Sequence, residues 1–271
     1  MRVVAVQMHA TDDKAANLAQ AERLIRRAVE RERPDLVALP ETFAFIGGDR
    51  AGREEAAETL PGGAAYELLS RLARHYGIWI HGGSLFERTE GGLYNTTVVF
   101  DREGREAARY RKIHLFDVTT PDGRSYRESS YLRPGSEVVA FTLEGVGVGL
   151  SICYDVRFGE LYRELVARGA QLILVPAAFT LETGRDHWEV LLRARAIETQ
   201  CYVVAPAQWG VYRAGGERRR NYGRTMVVGP WGQVLATVQD GIGYAVAELD
   251  FAYLEQVRTQ LPVHRHRRLD G

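Results

Sequence analysis

At 271 residues and 45% hydrophobic composition, the chain can bury one large core, roughly three quarters of its unfolded surface if it folds as a single unit. Lys plus Arg and Asp plus Glu both number 35, which removes any global field toward nucleic acid or an anionic membrane and favours a small, neutral substrate. Cys153 and Cys201 are too few for a disulfide framework or a structural zinc site, MRVVAVQMHATDD lacks a signal-like apolar core, and no apolar window approaches about 18 residues, so a reducing, cytoplasmic setting is expected.

In chain order, RVVAVQM (2–8) predicts a strand, and Leu18, Ala21, Ile25, Ala28 and Val29 recur at helical spacing between Asp12 and Glu32 behind an aspartate cap. DLVALP (35–40) is a short apolar strand, AAYELLSRLARHYG (64–77) a helix closed by Gly77, and IWIHGGSLF (78–86) a further strand. LYNTTVVF (93–100), DREG (101–104) and REAARYRK (105–112) form a hairpin that ends at Lys112. Residues 113–137 carry Pro121, Gly123, Pro134 and Gly135 among polar residues; this is long for a connection in a compact domain and is expected to border a pocket.

The order then recurs: strand 146–152, helix 159–168, strand 171–176, helix 187–200, strand 201–208, and strands near 224–229, 232–238 and 243–249. A helix over 250–262 stops at Pro262. The expected fold is α/β, a single domain over 1–271 in which a βαβ plan occurs twice, with two sheets face to face and helices outside. The basic tail VHRHRRLDG reads as a solvated terminus; His264 and His266 lack a third ligand nearby, so no metal site is expected.

Three strands end in reactive groups: Glu41 after DLVALP, Lys112 after the hairpin and Cys153 after VGVGLSI. Ligands of layered α/β proteins bind outside the carboxyl ends of strands, so a carboxylate, an ammonium and a thiol delivered there form a chemically useful set. Taken alone, Cys153 reads as a small hydrophobe finishing a buried strand. A helix starting near Gly159 and a nearby lysine both favour its thiolate, and the tight turn into Tyr154 offers a backbone N–H to a developing oxyanion. A desolvated Glu41, pushed up by burial and down by Lys112, suits a general base that takes the thiol proton and returns it to a leaving amine. Cys201, opening a plain apolar strand, reads as packing.

LPETF around Glu41, YRKIHLFD around Lys112 and GLSICYDVRF around Cys153 resemble, in order, the three signature segments of the nitrilase superfamily of carbon-nitrogen hydrolases. The resemblance runs nearly end to end, through GGSLFE (82–87), YNTTVVFDREG (94–104), HWEVLLRARAIETQCYVVA (187–205), VVGPWGQVLA (227–236) and LPVHRHRR (261–268). It implies a four-layer αββα sandwich with an internal pseudo-two-fold repeat that dimerises, the tail over about 262–271 reaching a partner subunit. It also implies Glu41 as base, Lys112 as transition-state stabiliser and Cys153 as nucleophile, with no metal or organic cofactor. Glu128, in SYRESSYLRPG, matches a second glutamate that lies near the lysine and helps position substrate.

The segments are most similar to the branch that holds the amidase for deaminated glutathione and omega-amidase, which acts on alpha-ketoglutaramate. There Arg157 would clamp a substrate carboxylate with its bidentate fork, and Phe179 and Thr183 would line the same pocket. That branch usually reads Thr-Gly-Pro-Ala-His-Trp where this chain has Thr183, Gly184, Arg185, Asp186, His187 and Trp188, which would change the charge at a pocket edge and loosen the backbone.

Other chemistries draw on the same residues. A cysteine-histidine hydrolase such as a thioesterase would take His114, two residues beyond Lys112, as its base and leave Glu41 without a use. A nitrilase would apply the same three groups to a triple bond, and a non-catalytic binding or redox-sensing protein would keep the pocket without turnover. ERRR (217–220) and HRHRR (264–268) are short basic clusters without interleaved aromatics and read as solvated faces, not nucleic-acid contacts.

Overall fold

Period-two alternation divides the first strand between two cores. In β1 (Arg2–Gln7), Val3 and Ala5 join one hydrophobic cluster while Val4 and Val6 join another, so both faces of the strand are covered. The computed structural model describes residues 1–268.

After β1 comes α1 (Lys14–Glu32), capped by Asp13, whose carboxylate accepts the Ala16 N–H at 2.9 Å. β2 (Leu36–Ala38), α2 (Arg50–Ala56), α3 (Ala64–Tyr76) and β3 (Trp79–His81) follow, α3 being closed by Gly77 in the left-handed region at φ 61. β4 (Leu85–Thr89), β5 (Gly92–Phe100) and β6 (Glu106–Arg111) make an antiparallel group, and β7 (Asp117–Thr119) pairs with β8 (Ser125–Arg127) inside the segment 113–137.

The second half contains β9 (Ala140–Leu143), β10 (Val146–Leu150), α4 (Gly159–Ala167), β11 (Leu172–Leu174), α5 (Leu181–Thr199) and β12 (Tyr202–Ala205). β13 (Trp209–Ala214) and β14 (Glu217–Tyr222) form a hairpin, and β15 (Met226–Val228), β16 (Val234–Thr237), β17 (Gly243–Glu248), α6 (Phe251–Gln260) and α7 (Val263–His266) complete the described chain.

One 7-stranded sheet runs β17-β1-β2-β3-β5-β4 with β6 on β5, and a 6-stranded sheet runs β16-β15-β12-β11-β10-β9. β1, β2 and β3 are parallel, as are β10, β11 and β12, each connection crossing through helix, so one βαβ plan is used twice. Val3, Ala5, Leu36 and Ala38 of the first sheet share a core with Val148, Leu150, Leu172 and Leu174 of the second. Val4, Val37 and Ile80, on the outer face of the first sheet, pack on Ile25 of α1 and Leu69 and Leu72 of α3. Leu161 and Leu165 of α4 and Trp188 and Leu192 of α5 cover the second sheet. The layering is therefore helix, sheet, sheet, helix, the αββα sandwich that the motifs imply.

The structure departs from the sequence reading at several elements. α5 starts at Leu181, not 187, because Thr180 caps it, its Oγ1 accepting the Thr183 N–H at 3.3 Å. The span read as one strand over 78–86 is two strands broken at Gly82–Ser84. Residues 209–223, to which the pattern assigns no element, form the β13–β14 hairpin around Gly215 and Gly216, both at positive φ. α2 and β9 are also additional, too short for their periodicity to register. In the tail, His264 Nε2 lies 3.1 Å from the Thr199 carbonyl, and the expected extension over about 262–271 falls partly on 269–271, outside the described residues.

Gly83 packs the end of β3 against the end of β2, which leads into Glu41. It sits at φ +57, and a Cβ there would lie 2.0 Å from the Pro40 carbonyl oxygen and 2.7 Å from that of Leu39. Gly83→Ala therefore combines left-handed strain with overpacking against backbone and is expected to destabilise the fold by about 2 kcal/mol or more. Urea unfolding checks this: the midpoint should fall with the slope preserved, and a wild-type midpoint would mean that the two strand ends are not in fixed contact.

Candidate active site

Strand β2 ends before Pro40, and Glu41 is then fixed from three sides. The Leu39 N–H donates to the His81 carbonyl at 3.0 Å, the Thr42 N–H donates to Ser84 Oγ at 2.9 Å, and Gln208 Nε2 donates to the Glu41 carbonyl at 3.0 Å. Thr42 adopts φ 49, a left-handed turn that the Ser84 contacts hold. The Glu41 side chain is buried: Oε1 accepts from Lys112 Nζ at 2.9 Å and Asn95 Nδ2 at 2.8 Å, and Oε2 accepts the Ala178 N–H at 2.8 Å.

Lys112 leaves β6 with its backbone tied to β5, its N–H donating to the Asn95 carbonyl at 2.9 Å. Its ammonium is 2% exposed and donates to Glu128 Oε1 at 3.0 Å and Oε2 at 2.9 Å as well as to Glu41. Glu128 opens a short 3-10 turn (Glu128–Ser130) and accepts the Phe116 N–H at 2.6 Å, so the segment 113–137 is closed over the lysine. Burial by itself would push the Lys112 pKa down, but the Glu128 and Glu41 carboxylates outweigh it and hold the ammonium well above the usual lysine value.

Cys153 stands on the turn (Cys153–Arg157) that follows β10, at φ 50, with its N–H donating to the Pro176 carbonyl at 2.9 Å. The turn is held by buried Asp155. Its Oδ2 accepts Tyr110 OH at 2.7 Å and the Ile152 N–H at 2.8 Å, while its Oδ1 accepts the His114 N–H at 3.0 Å and lies 2.7 Å from His114 Nδ1. The His114 ring also stacks on Phe158 at 3.6 Å, so this histidine is committed to joining the lysine segment to the cysteine turn.

The thiol is buried, and burial followed by the charge of Glu41 pushes its pKa well above the ordinary cysteine value, with Lys112 opposing. The sequence reading had the lysine and the helix start favouring thiolate; in the structure desolvation and Glu41 win. The raised pKa favours the neutral thiol as the resting group, beside the Glu41 carboxylate.

These four groups line one cavity of about 350 Å³ together with Tyr154, Phe179 and Thr183. Phe116, Tyr126 and Tyr131 from the segment 113–137 form part of its wall. Arg157 is placed elsewhere: both its Nη atoms lie 3.3 Å from His187 Nδ1, and its guanidinium backs onto the rings of Tyr154 and Phe179, which themselves face the cavity. Arg185 and Asp186 pair with each other at 3.3 Å on the exposed side of α5, so their charges are not in the cavity wall. Cys201 packs against the Ala170 carbonyl in the core.

Sequence reasoning missed two contributors. Asn95 holds both carboxylates, its Nδ2 donating to Glu41 at 2.8 Å and reaching Glu128 at 3.4 Å. An asparagine inside the apolar strand YNTTVVF was the available signal, since this residue type is depleted in strands. Arg219 also lines the cavity, although ERRR reads as a solvated face.

A thiol, a carboxylate beside it and a fixed ammonium lining one cavity are the groups that a cysteine hydrolase requires. Residues 2–259 match the model of the carbon-nitrogen hydrolase family, and the chain belongs to that family. Deaminated glutathione amidase from Synechocystis sp. is 44% identical over 268 residues, covering 97% of this chain and 96% of the relative. The crystal structure of the C. elegans NitFhit protein superimposes with a TM-score of 0.89 at 39% identity, covering 98% of this chain and 65% of that longer one. A glutamate-to-glutamine mutant of the amidase from Nesterenkonia sp. AN1, solved with its active-site cysteine modified by Michael addition of acrylamide, matches with a TM-score of 0.77 at 29% identity, covering 98% of this chain and 99% of that one.

Because the raised pKa favours the neutral thiol, Cys153 of the free enzyme should react with iodoacetamide more slowly at pH 7 than an unstructured cysteine peptide does. Its rate should keep rising with pH beyond about 9. Mass-spectrometric alkylation rates across pH 6–10 measure this; a plateau below pH 8 would show that the thiolate is already the resting form.

Proposed function

We propose that the enzyme hydrolyses the amide C–N bond of a small, carboxylate-bearing linear amide through a thioester, with a preference like that of deaminated glutathione amidase. The observation that carries this reading is the Glu41 carboxylate, which pairs with the Lys112 ammonium at 2.9 Å and lines the same cavity as the Cys153 thiol. The Synechocystis relative supports the substrate class.

In the mechanism, Glu41 accepts the Cys153 proton as sulfur attacks the amide carbonyl carbon. The electron pair of the carbonyl moves to oxygen, where the Lys112 ammonium and the Tyr154 backbone N–H stabilise it. The Tyr154 N–H makes no hydrogen bond with the described residues. Glu41 then delivers its proton to the departing nitrogen, the C–N bond breaks, and amine or ammonia leaves a thioester. Glu41 next deprotonates a water that attacks the same carbon and returns that proton to sulfur, releasing the acid and restoring the thiol. Glu128 and Asn95 hold Lys112 and Glu41 in place, and Tyr154, Phe179 and Thr183 bound the substrate.

Cys153→Ala should leave only background release of amine or ammonia, whereas Glu41→Gln and Lys112→Ala should each lower kcat at least ~100-fold, with the double variant far less than multiplicative. An ammonia-release assay on carboxylate-bearing amides checks this, and wild-type-like turnover by Cys153→Ala would refute the mechanism.

The enzyme is further proposed to act as a homodimer in the cytoplasm. Its two cysteines are free thiols, which supports a reducing compartment, and no helix among the described residues is long and apolar enough to cross a membrane. Val190 and Ile197 of α5 are 66% and 50% exposed, and Trp231 is 56% exposed on a turn tied to α5, with Arg193 Nε donating to the Gly232 carbonyl at 2.8 Å. Such an apolar patch favours a second copy. Sedimentation should give a dimer for the wild type and monomer for Ile197→Asp; a monomeric wild type at micromolar concentration would exclude the assembly.

A further inference from the structure

Resting on the amidase reading, we propose that Arg219 of the β13–β14 hairpin holds the carboxylate of the substrate. Three consecutive arginines, Arg218, Arg219 and Arg220, lie on β14, where successive side chains point to opposite faces. Arg218 and Arg220 are exposed, the latter reaching Asp240 at 4.0 Å. Arg219 is opposite Tyr212 in the hairpin register, and both line the cavity that contains Cys153. The basic cluster is thus a solvated face at two positions and a cavity wall at the third.

The state of the guanidinium points to a ligand. It stacks over Tyr126, 4.5 Å from the ring centroid, which occupies its face and leaves its edges for hydrogen bonding. Its Nε is buried with no hydrogen-bond partner. Its acidic contact, Glu217 at 3.3 Å, is 63% exposed and competes weakly with a ligand inside the cavity. A buried guanidinium donor left unpaired is unfavourable until an acceptor arrives, and a carboxylate matches the planar fork of arginine.

The other charged groups around the cavity are already engaged. Glu41 and Glu128 face Lys112, so a free carboxylate beside the reacting centre would meet two like charges. Arg53 donates its Nε to the Gly47 carbonyl at 3.2 Å and an Nη to Gly48 at 3.4 Å. Arg127, at the exposed rim of the cavity, donates Nη1 to the Tyr126 carbonyl at 3.1 Å. Arg157 contacts His187 and stands behind the Tyr154 and Phe179 rings. Arg219 is the arginine of this set with a buried nitrogen, Nε, left without a partner, so the substrate class is an amide carrying a carboxylate on the same molecule, held with its acid group toward the hairpin.

The test uses calorimetric binding of succinamate and glutaramate, each beside its diamide, to full-length Cys153→Ala protein with and without Arg219→Met. The preference for monoamide over diamide should fall at least ~10-fold on Arg219→Met and recover in part in Arg219→Lys, a selectivity that a purely structural role would not produce. An unchanged preference, absence of any preference before Arg219 is altered, or a selective loss on Arg157→Met instead would overturn the assignment. Ammonia release by otherwise unaltered enzyme separates the two claims. Arg219-dependent binding without release from any amide removes the amidase reading and leaves the anchor, whereas release that ignores Arg219→Met removes the anchor and leaves the amidase.

Discussion

The rest of the site depends on one buried cation shared by two carboxylates. Desolvating an ammonium costs several kcal/mol, and Lys112 is tolerated in the interior because Glu41 and Glu128 both lie at about 3 Å from it. The dependence is mutual: without the lysine, two neighbouring buried carboxylates would face each other with no cation between them. A base adjacent to a nucleophile must be unprotonated to act, so Lys112 serves Glu41 before it serves the oxyanion. This is why the lysine segment closes over the cavity through Glu128, which belongs to the same segment and reaches back to the lysine and to the Phe116 N–H.

Asp155 solves the complementary problem of holding the cysteine turn at the correct height above this cluster. Cys153 adopts a left-handed φ, a conformation that costs of order 1–3 kcal/mol for a side chain with a Cβ and persists only when its surroundings impose it. Asp155 imposes it by accepting from Ile152 at the start of the turn and from Tyr110 and His114 on the opposing sheet and segment. The two halves of the sandwich therefore meet at the site through this buried carboxylate, beside the contacts that Ala178 and Gln208 make to Glu41. His114 contributes as part of this joint, which explains why its sequence proximity to Lys112 does not make it a base.

The parts of this arrangement visible in sequence are those set by local periodicity. Glu41 and Cys153 stand out because each ends an apolar run at a strand end, and Lys112 because it closes the second arm of a hairpin; the strand-helix alternation that locates those ends is legible from spacing alone. Glu128 was legible only through family resemblance, because nothing local in a polar segment tells which of its charges folds inward. Asn95 and Arg219 depend on pairing between distant strands: Asn95 meets Lys112 across β5 and β6, and Arg219 reaches the cavity because its hairpin register opposes Tyr212. A glycine pair at the turn and the period of two within three arginines carried that information, but only once the hairpin was recognised. The start of α5 is displaced for a similar reason, since the Thr180 cap, upstream of the expected start at His187, outweighs the weak apolar pattern of its first turn.

The charge pattern at rest also explains how a protonated thiol can serve as a nucleophile. One ammonium faces two carboxylates while the sulfur is neutral, so moving the thiol proton to Glu41 relocates a negative charge from oxygen to sulfur without creating a new one. Attack relocates it again, from sulfur to the substrate oxygen, toward Lys112 and the Tyr154 N–H. Charge moves over short distances among fixed partners, and little reorganisation is required. A substrate carboxylate adds a second negative charge that this cluster has no spare cation to balance. The neutral overall charge of the chain suggested a neutral substrate, but what governs binding is the local field, and an acid group is compatible with this centre only where a separate guanidinium in the same cavity receives it.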